Sequence, residues 1–217
     1  MLTVEQIISA TRGKLIQGDP SIRVDGISIN SQTVKRRDLF IAIKGKKFNG
    51  HAFIAEAIKK SAAAIVVSRK NFHIKSRVPV ILVSDTTKAL GQIARFWRDQ
   101  FKVPVVAITG SAGKTTTKEM AACVLGARYS VLKNAATENN EIGVPMTLLK
   151  LNGKHDVVVV ELGTNHFGEI RALMQIANPG IAVLTNIGES HLEFFKSPAG
   201  VFKEKFDIVK KMTSRGT

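Results

Sequence analysis

Cysteine occurs once in the 217 residues, at Cys123, so no disulfide can close within the chain. That fits a reducing compartment, and Cys123 is expected to be a small packed residue of a helix. Apolar runs long enough to span a bilayer are missing, and no basic leader precedes Val4 to Ala10, a stretch broken by Glu5 and Gln6. The expectation is a cytoplasmic protein with no membrane partner. No internal repeat or low-complexity tract is evident. Aromatics make up only 6% of the chain, and acidic residues number 17 against 32 lysines and arginines.

The resulting charge of +15 raises the question of nucleic acid. Residues 1–100 hold 18 basic against 7 acidic side chains, a balance of +11, and residues 101–217 hold 14 against 10, a balance of +4. The excess sits in scattered groups such as Lys35-Arg36-Arg37 and Lys44-x-Lys46-Lys47. Single-strand binders interleave aromatics with such charges, and only Phe40 and Phe48 lie nearby. A basic surface that recruits a polyanionic small molecule, or a solvated face without a ligand, accounts for the pattern equally well.

With 44% apolar residues, the chain is long enough for one large or two small domains. Strand and helix signals alternate, which indicates an α/β fold. Thr3-Val4-Glu5-Gln6 has the form of a capping box opening a short helix. A helix is expected near Ala52–Lys60, with strands at Ala63–Val67 and Val78–Val83. Asp85-Thr86-Thr87 starts another helix, with Leu90, Ile93, Ala94, Trp97 and Phe101 on one apolar face. A domain boundary is placed between about residues 85 and 103. Three apolar strands follow, ending at Thr109, Val160 and Leu184, of the kind covered by helices on both faces.

The first of these strands, Val105-Val106-Ala107-Ile108-Thr109, runs directly into Gly110-Ser111-Ala112-Gly113-Lys114-Thr115-Thr116. Such a loop cradles phosphate with its backbone N–H groups, so the chain is expected to bind a nucleoside triphosphate. Lys114 supplies charge to the β- and γ-phosphates, and the Thr115 hydroxyl is placed for Mg²⁺. A helix over Thr116 to Gly126 would aim its positive end at the same anion. Ile108 stands where the full Walker spacing has glycine, so the loop is a short variant. The bland alternative is a glycine-rich turn with a surface lysine.

Ligands of open α/β sheets gather at the carboxyl ends of the strands. The second strand ends in Glu161-Leu162-Gly163-Thr164-Asn165-His166, and a carboxylate there can hold Mg²⁺ or merely form a salt-bridged strand end. The third strand leads to Asn186 and His191; a single histidine of this kind is a metal ligand or a structural residue. Asn139-Asn140-Glu141-Ile142-Gly143-Val144-Pro145 either lines a substrate or caps the helix that follows.

Together these segments resemble the Mur ligase family, and within it most closely the MurF type. The resemblance rests on Thr109–Thr115, Asn139–Pro145, Glu161–His166 and Asn186 through His191-Leu192-Glu193 to Phe195, Ser197 and Gly200. Asp38-Leu39-Phe40-Ile41-Ala42, Gly45 and Phe48-Asn49-Gly50-His51 are similar to the family's substrate domain, so the match covers nearly the whole chain. It implies a UDP-substrate domain over residues 1–85, a connecting helix over 86–102 and an incomplete parallel-sheet ATPase domain over 103–217.

The activity implied is an ATP-dependent amide ligase of peptidoglycan precursor synthesis. It would join UDP-N-acetylmuramoyl-tripeptide to D-alanyl-D-alanine through an acyl phosphate, as a monomer. Resemblance assigns ATP to Gly110, Ser111, Ala112, Gly113, Lys114, Thr115, Thr116, Asn139 and Asn140. Substrate contacts fall to Ser31, Gly50, His51, Thr164, Asn165 and His166. One Mg²⁺ is matched to Thr115 and Glu161, and a second to His191 and a carbamylated Lys205, with Lys203 as the neighbouring alternative. Lys114, His191 and Lys205 would be the catalytic groups.

Several positions depart from the family pattern. Asn30-Ser31-Gln32 replaces Asp-Ser-Arg near the expected uracil pocket, Thr137 replaces an asparagine, and Glu204-Lys205-Phe206-Asp207 replaces Ala-Lys-Gly-Glu. The chain is expected to be a fragment whose sheet stops after its third strand, leaving Phe202, Phe206 and Ile208 without strands to pack against. Such a chain would bind nucleotide weakly and not ligate alone. Another Mur ligase, a folylpolyglutamate synthase-like enzyme and a non-catalytic nucleotide-binding fragment remain as alternatives.

Overall fold

The computed structural model describes residues 2–45, 49–69, 76–135, 138–210 and 212. Lys46, Lys47, Phe48 and Thr137 therefore lie outside the described residues. The chain divides into two compact units, Met1–Ile93 and Ala94–Thr217.

In the first unit, β1 (Leu2–Thr3) leads into α1 (Val4–Thr11) through the expected capping box. Thr3 Oγ1 accepts from the Gln6 N–H at 3.2 Å, and Gln6 Oε1 accepts from the Thr3 N–H at 2.9 Å. There follow β2 (Lys14–Gln17), β3 (Arg23–Val24), β4 (Gly26–Ser28), β5 (Asp38–Ile41), α2 (Ile54–Lys59), β6 (Ala64–Val67) and β7 (Val80–Leu82). A five-stranded sheet forms in the order β2-β7-β6-β5-β4, parallel except where β2 runs against β7.

The strands expected near 63–67 and 78–83 are present, and a 3-10 turn at Gly50–Phe53 takes the first turn of the helix expected from Ala52. β1 and β5, the latter buried throughout, were not anticipated as strands, and neither were β2 to β4. The last three are two to four residues long, and edge strand β2 alternates exposed with half-buried positions, so no apolar run marks them. Phe40, Ile54, Ile65 and Val67 form part of the unit's core.

The division between the units falls inside α3 (Thr86–Arg98), whose first turn is capped by Asp85 through the N–H groups of Thr87 and Lys88. Leu90, Ile93 and Ala94 are fully buried, as the apolar face requires.

The second unit contains β8 (Val105–Thr109), α4 (Lys114–Gly126), β9 (Val131–Lys133), α5 (Gly143–Leu148), β10 (Val157–Glu161), α6 (Glu169–Ala177), β11 (Ile181–Leu184), α7 (Leu192–Phe195), α8 (Pro198–Lys205) and α9 (Asp207–Lys210). Its sheet is wholly parallel, in the order β11-β8-β10-β9. Alternate residues of the central strands serve two separate cores. Val105, Ala107, Val158 and Val160 pack with Val144, Ile170 and Leu173, while Val106, Ile108 and Val159 meet Ala121 and Leu125 of α4. Two-sided burial explains why these strands read as unbroken apolar runs.

Four expectations need correction. The sheet has four strands, not three: β9 is only three residues long and ends in exposed Lys133, too short to register as a run. Helix α4 begins at Lys114, two residues before the expected start, because Gly113 turns the chain into it. Cys123 is exposed, since α4 turns Lys118 and Ala122 inward and leaves Met120, Cys123 and Val124 on its outer side. Ile208 is fully buried in the larger core, whereas Phe202 is 47% exposed and stacks on Phe206. At the sheet's edge, β11 does leave apolar residues half covered, with Ile181 exposed. Among the described residues, no helix is long and apolar enough to cross a membrane.

Docking of α9 through Ile208 should be measurable. Replacing Ile208 by Ala should lower the unfolding free energy by about 2–5 kcal/mol in urea denaturation. Replacing Phe202 by Ala should cost only about 1 kcal/mol. Equal effects would show that α9 is not part of the core.

Candidate active site

The site is built where β8 ends. Thr109 is fully buried, and its hydroxyl donates to the Leu162 carbonyl at 2.8 Å, which holds the ends of β8 and β10 together. Beyond it, Gly110 has φ 154°, and a Cβ there would lie 1.9 Å from the Thr185 hydroxyl. Gly113 has φ 77° with open space around it, so glycine is needed there for its backbone angle. It sits at the N-cap of α4 with no side chain capping the helix, so the first N–H groups of a 13-residue helix face outward. An anion is the natural partner for that end.

The phosphate loop is laced to the segment after β11. The Ser111 hydroxyl donates to the Gly188 carbonyl at 3.0 Å and accepts from the Gly188 N–H at 2.9 Å and the Ser190 hydroxyl at 3.0 Å. The Ala112 N–H donates to Asn186 Oδ1 at 2.9 Å, and the Thr185 hydroxyl donates to the Ala112 carbonyl at 2.7 Å. The side chain of Ser111 thus braces the loop. Lys114 curls over its own loop, donating to the carbonyls of Gly110 at 2.8 Å and Ser111 at 3.3 Å. Both acceptors are neutral carbonyls, with which an anionic oxygen can compete for the ammonium. Thr116 lies exposed on the first turn of α4.

Glu161 closes β10 with only 2% exposure. One carboxylate oxygen accepts from the Thr115 hydroxyl at 2.8 Å and the other from the Asn139 amide at 2.9 Å. Asn140 instead caps α5, accepting from the N–H groups of Ile142 and Gly143. Of the two readings open for this turn, Asn139 faces the site residues and Asn140 serves the helix. Among the described residues, no cluster of three histidine, cysteine or acidic groups could cage a metal. A hydroxyl beside a carboxylate nevertheless fits a hard divalent cation whose remaining ligands come from phosphate and water.

Lys205, at the end of α8, is 1% exposed. Its burial, then the neighbouring Lys114 charge, push its ammonium down to about 8 against the opposing pull of Glu204. Lys205 and Lys114 are therefore close enough to repel. Lys203 is exposed, its ammonium 5.9 Å from the Phe167 ring centre. Glu204 fixes the α8 end by accepting from the N–H groups of Gly168 at 2.6 Å and Ile170 at 2.8 Å. The Thr164 hydroxyl reaches both the His166 carbonyl and Glu204. Glu169 accepts from the Asn165 and His166 N–H groups and from the His166 ring. His191 is the left-handed residue before α7, its ring edge-on to Phe195 at 6.3 Å.

Ser31, Gly50 and His51 belong to the first unit. The buried Ser31 hydroxyl donates to Glu56 at 2.9 Å. Gly50 bonds through its N–H to the Ile43 carbonyl at 2.8 Å. Burial, with Arg69 and Lys44 adding to it, pushes the His51 ring below its ordinary pKa. Its Nε2 accepts from the Ser68 N–H at 3.0 Å and Nδ1 meets Asn49 Oδ1 at 2.9 Å, a neutral tautomer with a bracing role. Sequence reasoning missed Lys118, Asn134 and the bracing by Ser190. Asn134 follows the strand that was itself missed, and Lys118 looks like any solvent-facing helix lysine.

Residues 108–217 match the Mur ligase middle domain, and residues 23–98 match the Mur ligase family catalytic domain. The UDP-N-acetylmuramoyl-tripeptide–D-alanyl-D-alanine ligase of Haemophilus influenzae is 39% identical over 99% of this chain and 47% of its own. MurF from Acinetobacter baumannii superposes with a TM-score of 0.91 at 35% identity, over 99% of this chain and 47% of that one. MurF ligase from Thermotoga maritima, solved in complex with ADP, gives 0.81 at 37% identity over 88% and 44%. The chain spans about half the length of the relatives it matches. The family match of residues 108–217, joined to a phosphate loop that faces a strand-end carboxylate, shows that this chain belongs to the Mur ligase family.

Proposed function

We propose that this chain carries the UDP-substrate and ATP sites of a MurF-type ligase, which adds D-alanyl-D-alanine to UDP-N-acetylmuramoyl-tripeptide. The observation that carries the reading is the Thr115–Glu161 pair at 2.8 Å beside the open N-terminus of α4. Phosphoryl transfer demands positioning and charge neutralisation, and a phosphate loop with a strand-end carboxylate supplies both.

In this reading the substrate carboxylate attacks the γ-phosphorus of ATP, and ADP leaves as an acyl phosphate forms. The dipeptide amine then attacks the acyl carbon, loses a proton, and expels inorganic phosphate as the amide bond closes. Lys114 leaves its loop carbonyls for the transferring phosphoryl oxygens. Gly110 to Thr116 enclose the phosphates, with Ser111 acting as a brace, and Asn139 steadies Glu161. Thr115 and Glu161 would hold Mg²⁺, which supplies neutralising charge at the phosphates. Asn140 shapes the nucleotide edge through α5.

Residues 1–85 would bind the UDP-linked substrate, with 86–102 connecting to the ATPase domain over 103–217. Ser31, Gly50 and His51 would fix the loops that meet the uridine diphosphate, while Thr164, Asn165 and His166 would meet the tripeptide end. His191 and Lys205 would serve a second cation, the lysine as a carbamate. Burial of Lys205 and exposure of Lys203 favour that choice of lysine. The amine attacks CO₂ and releases a proton, so only its neutral form reacts.

Separation of the two sites is testable by calorimetric titration. Lys114→Ala should weaken ATP binding by roughly 10- to 100-fold, the loss of a charged hydrogen-bond donor. Binding of the UDP-linked substrate should change less than about twofold, because Lys114 takes no part in that site. Parallel loss of both would overturn the division of labour.

Lys205 should show a pH dependence. Its folded pKa of about 8 lies below the ordinary 10.5, so the folded state holds the proton less tightly than the unfolded chain. Stability contributed at this position is therefore lowest below pH 8 and rises as pH climbs towards 10.5. With ¹³C-bicarbonate, a carbamate signal should grow through about pH 8 and vanish in Lys205→Arg. A signal that survives this substitution would place the carbamate elsewhere.

A further inference from the structure

Asn134, the residue after β9, is 1% exposed and makes contacts that no catalytic assignment uses. Pairing between β9 and β10 stops at Lys133 opposite Val159, two residues short of Glu161. The Asn134 carboxamide takes over where the ladder ends. Its Oδ1 accepts from the Glu161 N–H at 2.9 Å, and its Nδ2 donates to the Glu161 carbonyl at 3.1 Å. The same Nδ2 donates to the Glu138 carbonyl at 2.9 Å, at the start of the turn that carries Asn139. One side chain thus grips the backbone of Glu161 from both sides and holds the turn that supplies its second hydrogen bond.

Asn134 is itself anchored by an unusual residue. Lys118 is fully buried, and its ammonium donates to the Asn134 carbonyl at 2.7 Å. Glu119 lies 3.0 Å from that ammonium and also pairs with Lys133. Lys118 stands three residues after Thr115 on α4, on the same side of the helix. The contacts close a ring that runs from Thr115 to Glu161, through Asn134 to Lys118, and back along one helical turn. A buried ammonium is a costly way to fill space, and an apolar side chain would suffice if packing were its only purpose.

We propose that Asn134, anchored by Lys118, is a positioning residue that sets the Glu161 carboxylate against the Thr115 hydroxyl, in the geometry a divalent cation bound to nucleotide requires. The inference rests on the reading of Thr115 and Glu161 as the cation–nucleotide pair. Groups that orient a ligand through its own neighbours act on metal affinity without touching the metal.

The test uses the 217-residue chain, ADP, and Mn²⁺ as the probe cation. Titrations with and without Mn²⁺ give the tightening of ADP that the cation causes, and electron paramagnetic resonance reads the bound Mn²⁺ itself. Glu161→Ala should abolish the tightening. Asn134→Ala should cut it about tenfold while leaving cation-free ADP affinity within about twofold, and should broaden the bound-Mn²⁺ spectrum. Lys118→Met, which keeps the carboxamide but removes its anchor, should lose part of the tightening.

Unchanged tightening in Glu161→Ala would remove the cation reading and this inference with it. Loss in Glu161→Ala together with unchanged tightening in Asn134→Ala would overturn the positioning role alone. Equal loss of ADP affinity with and without Mn²⁺ in a folded Asn134→Ala would also overturn it. If that variant fails to fold, Asn134→Asp decides: it keeps the volume and the acceptor but places a carboxylate against the Glu161 carbonyl. Tightening as in the unaltered chain would then refute the proposal.

Discussion

A carboxylate that is nearly out of solvent must be met by donors, and Glu161 is met from three directions. Thr115 reaches it from the helix behind the phosphate loop, Asn139 from the turn before α5, and Asn134 holds its backbone. That convergence fixes the relation of α4 to the end of β10. The braces on the other flank, Ser111 to Gly188 and Asn186 to Ala112, do the same for the segment after β11. The phosphate loop is therefore suspended between two strand ends, and its shape is settled before a ligand arrives. Preorganisation of this kind lowers the cost of ordering the loop on binding.

Charges of both signs meet in the same place. Lys114 and Lys205 repel one another, and the open end of α4 adds its own partial charge. Glu204 stands beside Lys205 but spends its oxygens on the N–H groups at the start of α6. Glu161 is shared between Thr115 and Asn139. The two ammonium groups at this end of the sheet are thus matched by two carboxylates.

Much of this was legible in the sequence because it depends on local order. A strand running into a glycine–lysine–threonine loop and a helix is a contiguous signal, and Glu161 shows itself as the polar residue that ends four valines. The capping box at Thr3 is equally local. Contacts across the fold were not legible. Ser111 reads as a phosphate ligand by position, yet its hydroxyl is held by a segment 77 residues later. Asn134 follows a three-residue strand without a pattern of its own, and Lys118 looks like a surface residue until α4 is laid against β9. Ile208 seemed stranded because its partners are helices and strands brought together only by the sheet order.

The exposed position of Cys123 has a practical side. As the lone thiol of the chain, on the outer side of α4, it can accept a single fluorophore with no competing attachment point. The label would stand nine residues beyond Lys114, roughly 14 Å along a helix that is rigid over that distance. Its emission would report any movement of α4 on addition of a ligand. The residue expected to be hidden in packing is thus the natural vantage point from which to watch the loop.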